Sequence, residues 1–377
     1  MSDKDLYDVI IIGAGVAGCA SAIALKQIDQ NLNVCLIERS GEESHHQAIG
    51  ETLPPQVSQL LHQLELWDQF KSCNFLPSYG SSAAWGSEQL HQNEYLFSPY
   101  GYGWHLDRNL FNRLVREAAL ARGVTIRYGS SLTSCEKGNA CWALEVYSAR
   151  SGSATVQAKF VIDASGRKAD FASRRGVDKL KEDKLVGIYH FFTRGKASDL
   201  GQGSCVETVP WGWWYSAGLP NDQWVVGFMT DSDIAREESL NDHSAFLKQI
   251  QATRFTQNRI DLLSAQGAPR LVAANTQRLQ QVVGSQWLAV GDAASTYDPI
   301  SSSGIFKALA MSRFAAFAAM DSLRGIPGGQ KKYADIIAQD YQSYLQKKRQ
   351  YYAEETRFSD QPFWQRRVTE QLTAVAR

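Results

Sequence analysis

Three glycines in the spacing Gly13-x-Gly15-x-x-Gly18 follow a continuous apolar run, Val9-Ile10-Ile11-Ile12, and lead into a helical stretch from Ala17 to Lys26. That arrangement suits a pyrophosphate. The first two glycines allow a tight turn and close approach of phosphate, and the third lets helix and strand pack tightly. Amides at the helix start, around Val16 and Ala17, then face the phosphates. Glu38 ends a second apolar strand, Val34 to Ile37, 20 residues beyond Gly18. A carboxylate there accepts ribose hydroxyls, and Arg39 stands beside it. The spacing identifies a dinucleotide site and leaves FAD and NAD both open.

A second group of residues could carry the reaction itself. Trp211, Trp213, Trp214 and Tyr215 crowd one short stretch. In a strand, alternate members would face one side and wall an aromatic site. Such rings equally serve to fill a sheet core. Glu51 and His105 are the candidates for moving protons. A lone histidine is more often structural, and the neighbouring Trp104 and Arg108 are what set His105 apart. The six cysteines show no CxxC and no metal-ligand spacing, so no metal site is expected.

These side chains need elements to position them. The glycine loop, its helix and the strand before Glu38 make one strand-helix-strand unit of a parallel sheet. A helix is expected after Pro54-Pro55, with Val57, Leu60, Leu61 and Leu64 on one face. Another fits Arg108 to Ala121. Val124 to Ile126 and Phe160 to Ile162 read as strands that rejoin the sheet. From Leu185 to Asp231 short β-rich runs alternate with Gly and Pro, as in an antiparallel meander, with a turn at Pro220-Asn221-Asp222. The α/β pattern returns at Trp287 to Gly291, followed by a helix from Gly304 to Leu323. Helical spacing runs again from Tyr333 to about Phe358.

Several segments carry a resemblance to known families. Gly291-Asp292-Ala293-Ala294 resembles the second FAD motif of the aromatic hydroxylase superfamily, which implies that Asp292 holds the ribityl chain. Asp298-Pro299-x-Ser301-x-Ser303-Gly304 is similar to the loop beside the isoalloxazine, which implicates Pro299, Ser303, Gly304 and Ile305. Val161-Ile162-Asp163-Ala164-Ser165-Gly166-Arg167 resembles the Asp-Gly motif of the same enzymes and implicates Asp163. Ala164 replaces the usual glycine there, which weakens the implied recognition of NADPH. Arg108 matches the arginine that opens the equivalent helix in the hydroxylases. The cofactor implied is FAD.

Ile49-Gly50-Glu51-Thr52-Leu53-Pro54-Pro55 resembles the loop of flavin-dependent halogenases that links flavin and substrate sites, which places Glu51 against the cofactor as well. The catalytic lysine of halogenases is missing from Leu76 to Ser82, and their Trp-x-Trp-x-Ile-Pro is replaced by Trp211-Gly212-Trp213-Trp214-Tyr215-Ser216. Gly103-Trp104-His105-Leu106-Asp107-Arg108, the Gly212 to Ser216 strand and Pro362-Phe363-Trp364-Gln365-Arg366-Arg367 are more similar to LodB-like flavoproteins, which mature tryptophylquinone amine oxidases. That resemblance implies a monooxygenase acting on a tryptophan side chain of a protein substrate, a quinoprotein amine oxidase precursor. Glu51, His105, Trp213 and Tyr215 are the expected catalytic residues. The electrons would come from NAD(P)H or from a separate reductase. A hydroxylase of small aromatics, a halogenase and a non-catalytic assembly factor are the alternatives.

Composition narrows the class further. Lys plus Arg and Asp plus Glu both number 39, so no net field draws the chain to nucleic acid or to an anionic membrane. Met1 to Asp5 mixes charges and enters a strand at once, unlike a secretory signal. No stretch reaches the roughly 18 apolar residues of a membrane span. A cytoplasmic protein is expected. The fold class expected is α/β: a glutathione-reductase-type, Rossmann-like FAD domain (1–76, 105–184 and 275–330) with an inserted antiparallel β-sheet substrate domain (77–104 and 185–274). A C-terminal helical segment (331–377) completes it.

Overall fold

The computed structural model describes residues 6–42, 49, 52–95, 97–194, 203–260 and 263–375. Its central parallel sheet starts from Leu6–Ile12, which pairs with Val34–Ile37 on one side and Gly152–Asp163 on the other. Thr125–Arg127 and Trp287–Ala289 extend it outward. Residues 9–12, 34–37, 160–162 and 287–289 of these strands are apolar and buried, as in a sheet covered on both faces, while Thr125–Arg127 is part-exposed at the edge. In register, Ile12 lies opposite both Ile37 and Asp163. The residues that follow each strand, Gly13, Glu38 and Ala164, therefore emerge together at the carboxyl edge, where α/β sheets bind ligands. Val16–Ile28 packs between Arg108–Ala121 and Gly304–Leu323. A meander of Ser130–Lys137, Trp142–Ser148 and the first half of Gly152–Asp163 completes this layer.

The second large sheet has seven strands in the order Leu263–Ala273, Leu185–Arg194, Gln223–Asp231, Gly212–Gly218, Ser204–Val209, Gly80–Ala84 and His91–Glu94. The expected turn is present, with Asn221 and Asp222 both at positive φ. One feature departs from a purely antiparallel meander. Gly80–Ala84 enters beside Ser204–Val209 in parallel, a pairing between distant segments that no local pattern announces. Helices Ser232–Glu237 and His243–Gln251 cover the back of this sheet, where Phe246 meets Trp214 and Phe228. Between the two large sheets, Thr52–Leu53, Gly103–His105 and Leu76–Ser78 form a small third one.

The tail forms two helices, Gly329–Glu354 and Pro362–Val375. The first joins three apolar clusters: Tyr333 and Ile337 belong to the main core, Tyr341 and Tyr344 pack against Tyr297, and Tyr352 enters the core under the second sheet. Among the described residues no helix is long and apolar enough to cross a membrane.

This helix is tied down by a buried ion pair, Lys348 Nζ to Asp183 Oδ2 at 2.5 Å. Burial alone would raise the Asp183 carboxyl. The Lys348 charge and hydrogen bond, with the Leu185 amide, outweigh it and hold the group below its ordinary value. The folded state therefore binds this proton more weakly than the unfolded chain. Its contribution to stability is present above the ordinary carboxylate pKa and is lost as pH falls through the folded value. Urea midpoints measured against pH should show that acid slope, and Asp183→Asn should flatten it.

Candidate active site

A cleft of about 400 Å³ opens between the carboxyl edge of the parallel sheet and one face of the seven-stranded sheet. Gly15, Val16 and Ala17 form its floor at the start of their helix. No ligand is needed to see what would fit. A Cβ on Gly18 would lie 2.0 Å from the Gly13 carbonyl oxygen, and one on Gly13, at φ +104°, would lie 2.5 Å from that of Ala164. These two glycines serve the close packing of loop and helix. Gly15 differs, because a Cβ there meets no protein atom within 4 Å and would stand in the cleft. Glu38 Oε2 accepts the Ala14 amide and Oε1 the Ser40 amide, each at 2.8 Å. The carboxylate is thus fixed beside the glycine loop, with Arg39 exposed next to it. Bare amides, a space left by a missing side chain and a fixed carboxylate fit a dinucleotide.

The other implied cofactor residues divide into two groups. Arg108, Asp292, Pro299, Ser303, Gly304 and Ile305 all line the cleft. Gly304 and Ile305 open a 20-residue helix, whose N-terminal amides are suited to negative charge. Gly291 sits behind this wall at φ +62°, where a Cβ would press to 2.7 Å on Ala17. Asp163 also stands behind it. Its oxygens accept the Ser165 amide (3.0 Å) and hydroxyl (2.5 Å) and the Ala172 amide (2.9 Å). It holds in place the loop whose Ala164, Gly166 and Arg167 do reach the cleft.

Across the cleft stand Trp213 and Tyr215, alternate residues of Gly212–Gly218. Trp214 points the other way and stacks on Phe228 at 4.5 Å. Trp211 is exposed. The Trp213 indole N–H donates to Tyr352 Oη (3.0 Å), whose hydroxyl donates to Asp298 Oδ2 (2.8 Å). Asp298 is fully buried and caps the Pro299–Ser301 turn through the Ile300 amide. The polar edge of Trp213 is thereby engaged, and the residue presents the cleft with an apolar wall.

Tyr215 Oη is 2.7 Å from Thr52 Oγ1, which lies 3.4 Å from His105 Nδ1. His105 is fully buried behind Thr52 and does not line the cleft. Burial, helped by the Arg259 charge, lowers its pKa to about 4, so it is neutral near pH 7. Its Nε2 has no hydrogen-bond partner among the described residues. Glu51 lies outside the described residues. The Tyr215–Thr52 bond should be measurable: a double-mutant cycle of Tyr215→Phe and Thr52→Val is expected to give a coupling of about 0.5–1.5 kcal/mol in urea denaturation. Additive effects would show that the two hydroxyls are independent.

Sequence reasoning did not find Thr52, Tyr189, Met229 or Arg167 as cleft residues. Arg167 Nη1 donates to the Asn275 carbonyl (2.9 Å) and side chain (3.2 Å) and to Thr296 (3.2 Å). Its place at the end of the Asp163 motif was the one available signal. The cleft-lining cations among the described residues are Arg108 and Arg167. Lys307 lies behind Asp292, at 3.8 Å, and is buried against Ser295 and the Tyr297 ring.

Residues 6–310 match the family described as FAD binding domain. The FAD-dependent oxidoreductase LodB of Marinomonas mediterranea is 33% identical over 368 residues, covering 96% of each chain. Two solved structures share the fold. The myxobacterial chondrochloren halogenase CndH superposes with a TM-score of 0.88 at 21% identity, covering 99% of this chain and 89% of that one. The peptidyl tryptophan dihydroxylase QhpG, essential for tryptophylquinone cofactor biogenesis, gives 0.71 at 22% identity, covering 96% and 78%. With the glycine loop, the fixed Glu38 and the cleft already in view, these matches make the chain a member of the FAD-binding-domain family and an FAD-dependent oxidoreductase.

Proposed function

We propose that this flavoprotein is a monooxygenase that hydroxylates a tryptophan side chain in a partner amine oxidase precursor during tryptophylquinone formation. The observation that carries this reading is that the cofactor loops and the Trp213–Tyr215 wall share one cleft. End-to-end similarity to LodB supports it. Gly13, Gly15, Val16, Ala17, Gly18, Glu38, Arg39 and Arg108 would hold FAD, together with Asp292, Pro299, Ser303, Gly304 and Ile305. Asp163 and Gly291 would shape the loops beneath it. Bound FAD would supply the activation of oxygen.

The chain's own residues then orient the substrate and keep water out. An indole is electron-rich without deprotonation, so the site must chiefly present the ring and exclude solvent. Trp213 and Met229 supply apolar walls for that purpose. The substituted ring must lose a proton, and the Tyr215 and Thr52 hydroxyls offer a path toward the His105 ring, which burial keeps neutral. Glu51, next to Thr52 in the chain, shares the proposed proton-handling role.

Halogenation is the rival reading on this fold. It requires a lysine to steer hypohalous acid, and among the described residues the cations lining the cleft are arginines. The test is intact and peptide mass spectrometry of the oxidase precursor co-expressed with and without this protein. A tryptophan peptide that gains oxygen only in its presence supports the proposal. Unchanged masses beside FAD-loaded protein and a working electron donor would overturn it, and a halogen mass would favour the rival. Anaerobic bleaching of the flavin by NADPH would identify a direct reductant; its failure would call for a separate reductase.

A further inference from the structure

The cleft wall continues into a set of oxidisable rings that leads outward. Trp213, buried and lining the cleft, lies 6.1 Å from Trp85, ring centre to ring centre. Trp85 is partly exposed, and its indole N–H donates to the Tyr351 carbonyl at the surface end of Gly329–Glu354. Tyr352 stands 5.7 Å from Trp85 and hydrogen-bonds Trp213. Phenylalanine or leucine would fill similar apolar space without these N–H bonds, and neither can be oxidised by one electron under comparable conditions.

We propose that Trp213 and Trp85 form a conduit that drains stray oxidising equivalents from the cleft to the protein surface. The proposal rests on the oxygen-activating reading above, because such a site generates oxidants that sometimes miss their substrate. Trp213 gives one electron to a hydroperoxyl radical that has escaped into the cleft. That radical takes up a proton and leaves as hydrogen peroxide, and Trp85 gives one electron to Trp213, restoring it. The oxidised Trp85 keeps its indole proton on the Tyr351 carbonyl. A small thiol from solvent then gives one electron to Trp85 and its own proton to water, and two of the resulting thiyl radicals pair as a disulfide.

Solvent access sets the direction outward. A positive charge costs less free energy on a ring that water reaches than on a buried one, so the hole moves from Trp213 to Trp85.

Blue-light excitation of the FAD-loaded protein places a one-electron oxidant in the cleft with no oxygen chemistry. Transient absorption should then show a long-lived tryptophan radical in the wild type, and added thiol should shorten its life. Trp85→Phe should lose the long-lived component and keep the initial quenching of flavin fluorescence. Trp213→Phe should lose most of the radical yield. If Trp85→Phe does not fold, Trp85→Tyr serves, with a tyrosyl signal expected instead. A radical of equal lifetime in wild type and Trp85→Phe overturns the proposal, as does an undiminished yield in Trp213→Phe. Either outcome leaves the tryptophan-hydroxylase reading to the precursor mass spectra.

Discussion

Gly15→Ala is expected to leave the stability of the flavin-free protein nearly unchanged while weakening FAD binding by at least about tenfold, or about 1.4 kcal/mol. The added Cβ meets no protein atom within 4 Å, so it strains nothing in the fold. It projects into the cleft at the helix start, where a pyrophosphate would approach the amides. Gly18→Ala should behave differently. Its Cβ would meet the Gly13 carbonyl oxygen at 2.0 Å, so helix and loop must separate and the flavin-free protein itself should be destabilised. Thermal denaturation of the apoprotein and flavin titration distinguish the two effects. Unaltered FAD affinity in Gly15→Ala would mean that the pyrophosphate lies elsewhere.

Asp231→Ala should cost about 3–5 kcal/mol of stability, because it strands a buried cation. The Asp231 and Arg367 side chains are 3% and 4% exposed and meet at 2.9 Å. Without the carboxylate, the guanidinium keeps the Phe363 carbonyl as its partner at 2.6 Å. The same aspartate receives Arg366 at 2.7 Å, so it anchors the helix Pro362–Val375 through two successive residues. That helix carries Phe363 and Trp364 into the core beside Tyr352. The expected result is a lower urea midpoint and protease cleavage before Pro362. Asp233→Ala is the control: its Arg366 contact is about a third exposed on both sides, so a loss of about 0–1 kcal/mol is expected. Equal losses in the two variants would show that burial does not set the strength of this anchor.

Local spacing made the cofactor site legible. Gly13, Gly15, Gly18 and Glu38 fall within one strand-helix-strand unit, and each requirement acts over a few residues of backbone. Asp292 and the loop to Gly304 were legible by family resemblance and line the same cleft, with Gly291 behind them. The aromatic strand was legible as a strand, since alternation is a local property. Which of its rings serve the cleft was not, because Trp213 and Trp214 are equally apolar. Their assignment depends on which face meets the cofactor layer and which meets the helix carrying Phe246.

That Thr52, Arg167 and Tyr189 line the cleft was not legible, because they come from three separate elements that meet only in the folded chain. Gly80–Ala84 joins the second sheet in parallel beside Ser204–Val209, a choice made by long-range hydrogen bonding. In the sequence His105 is set apart only by its neighbours Trp104 and Arg108. Its burial behind Thr52, which keeps it neutral, follows from the small sheet formed with Thr52–Leu53 and Leu76–Ser78. The sequence by itself determined the dinucleotide-binding unit and the α/β class, because periodicity and glycine spacing act locally. Tertiary structure alone decided which aromatic rings wall the cleft, which charges are buried and which hydroxyls meet, because burial and dielectric depend on residues far apart in the chain.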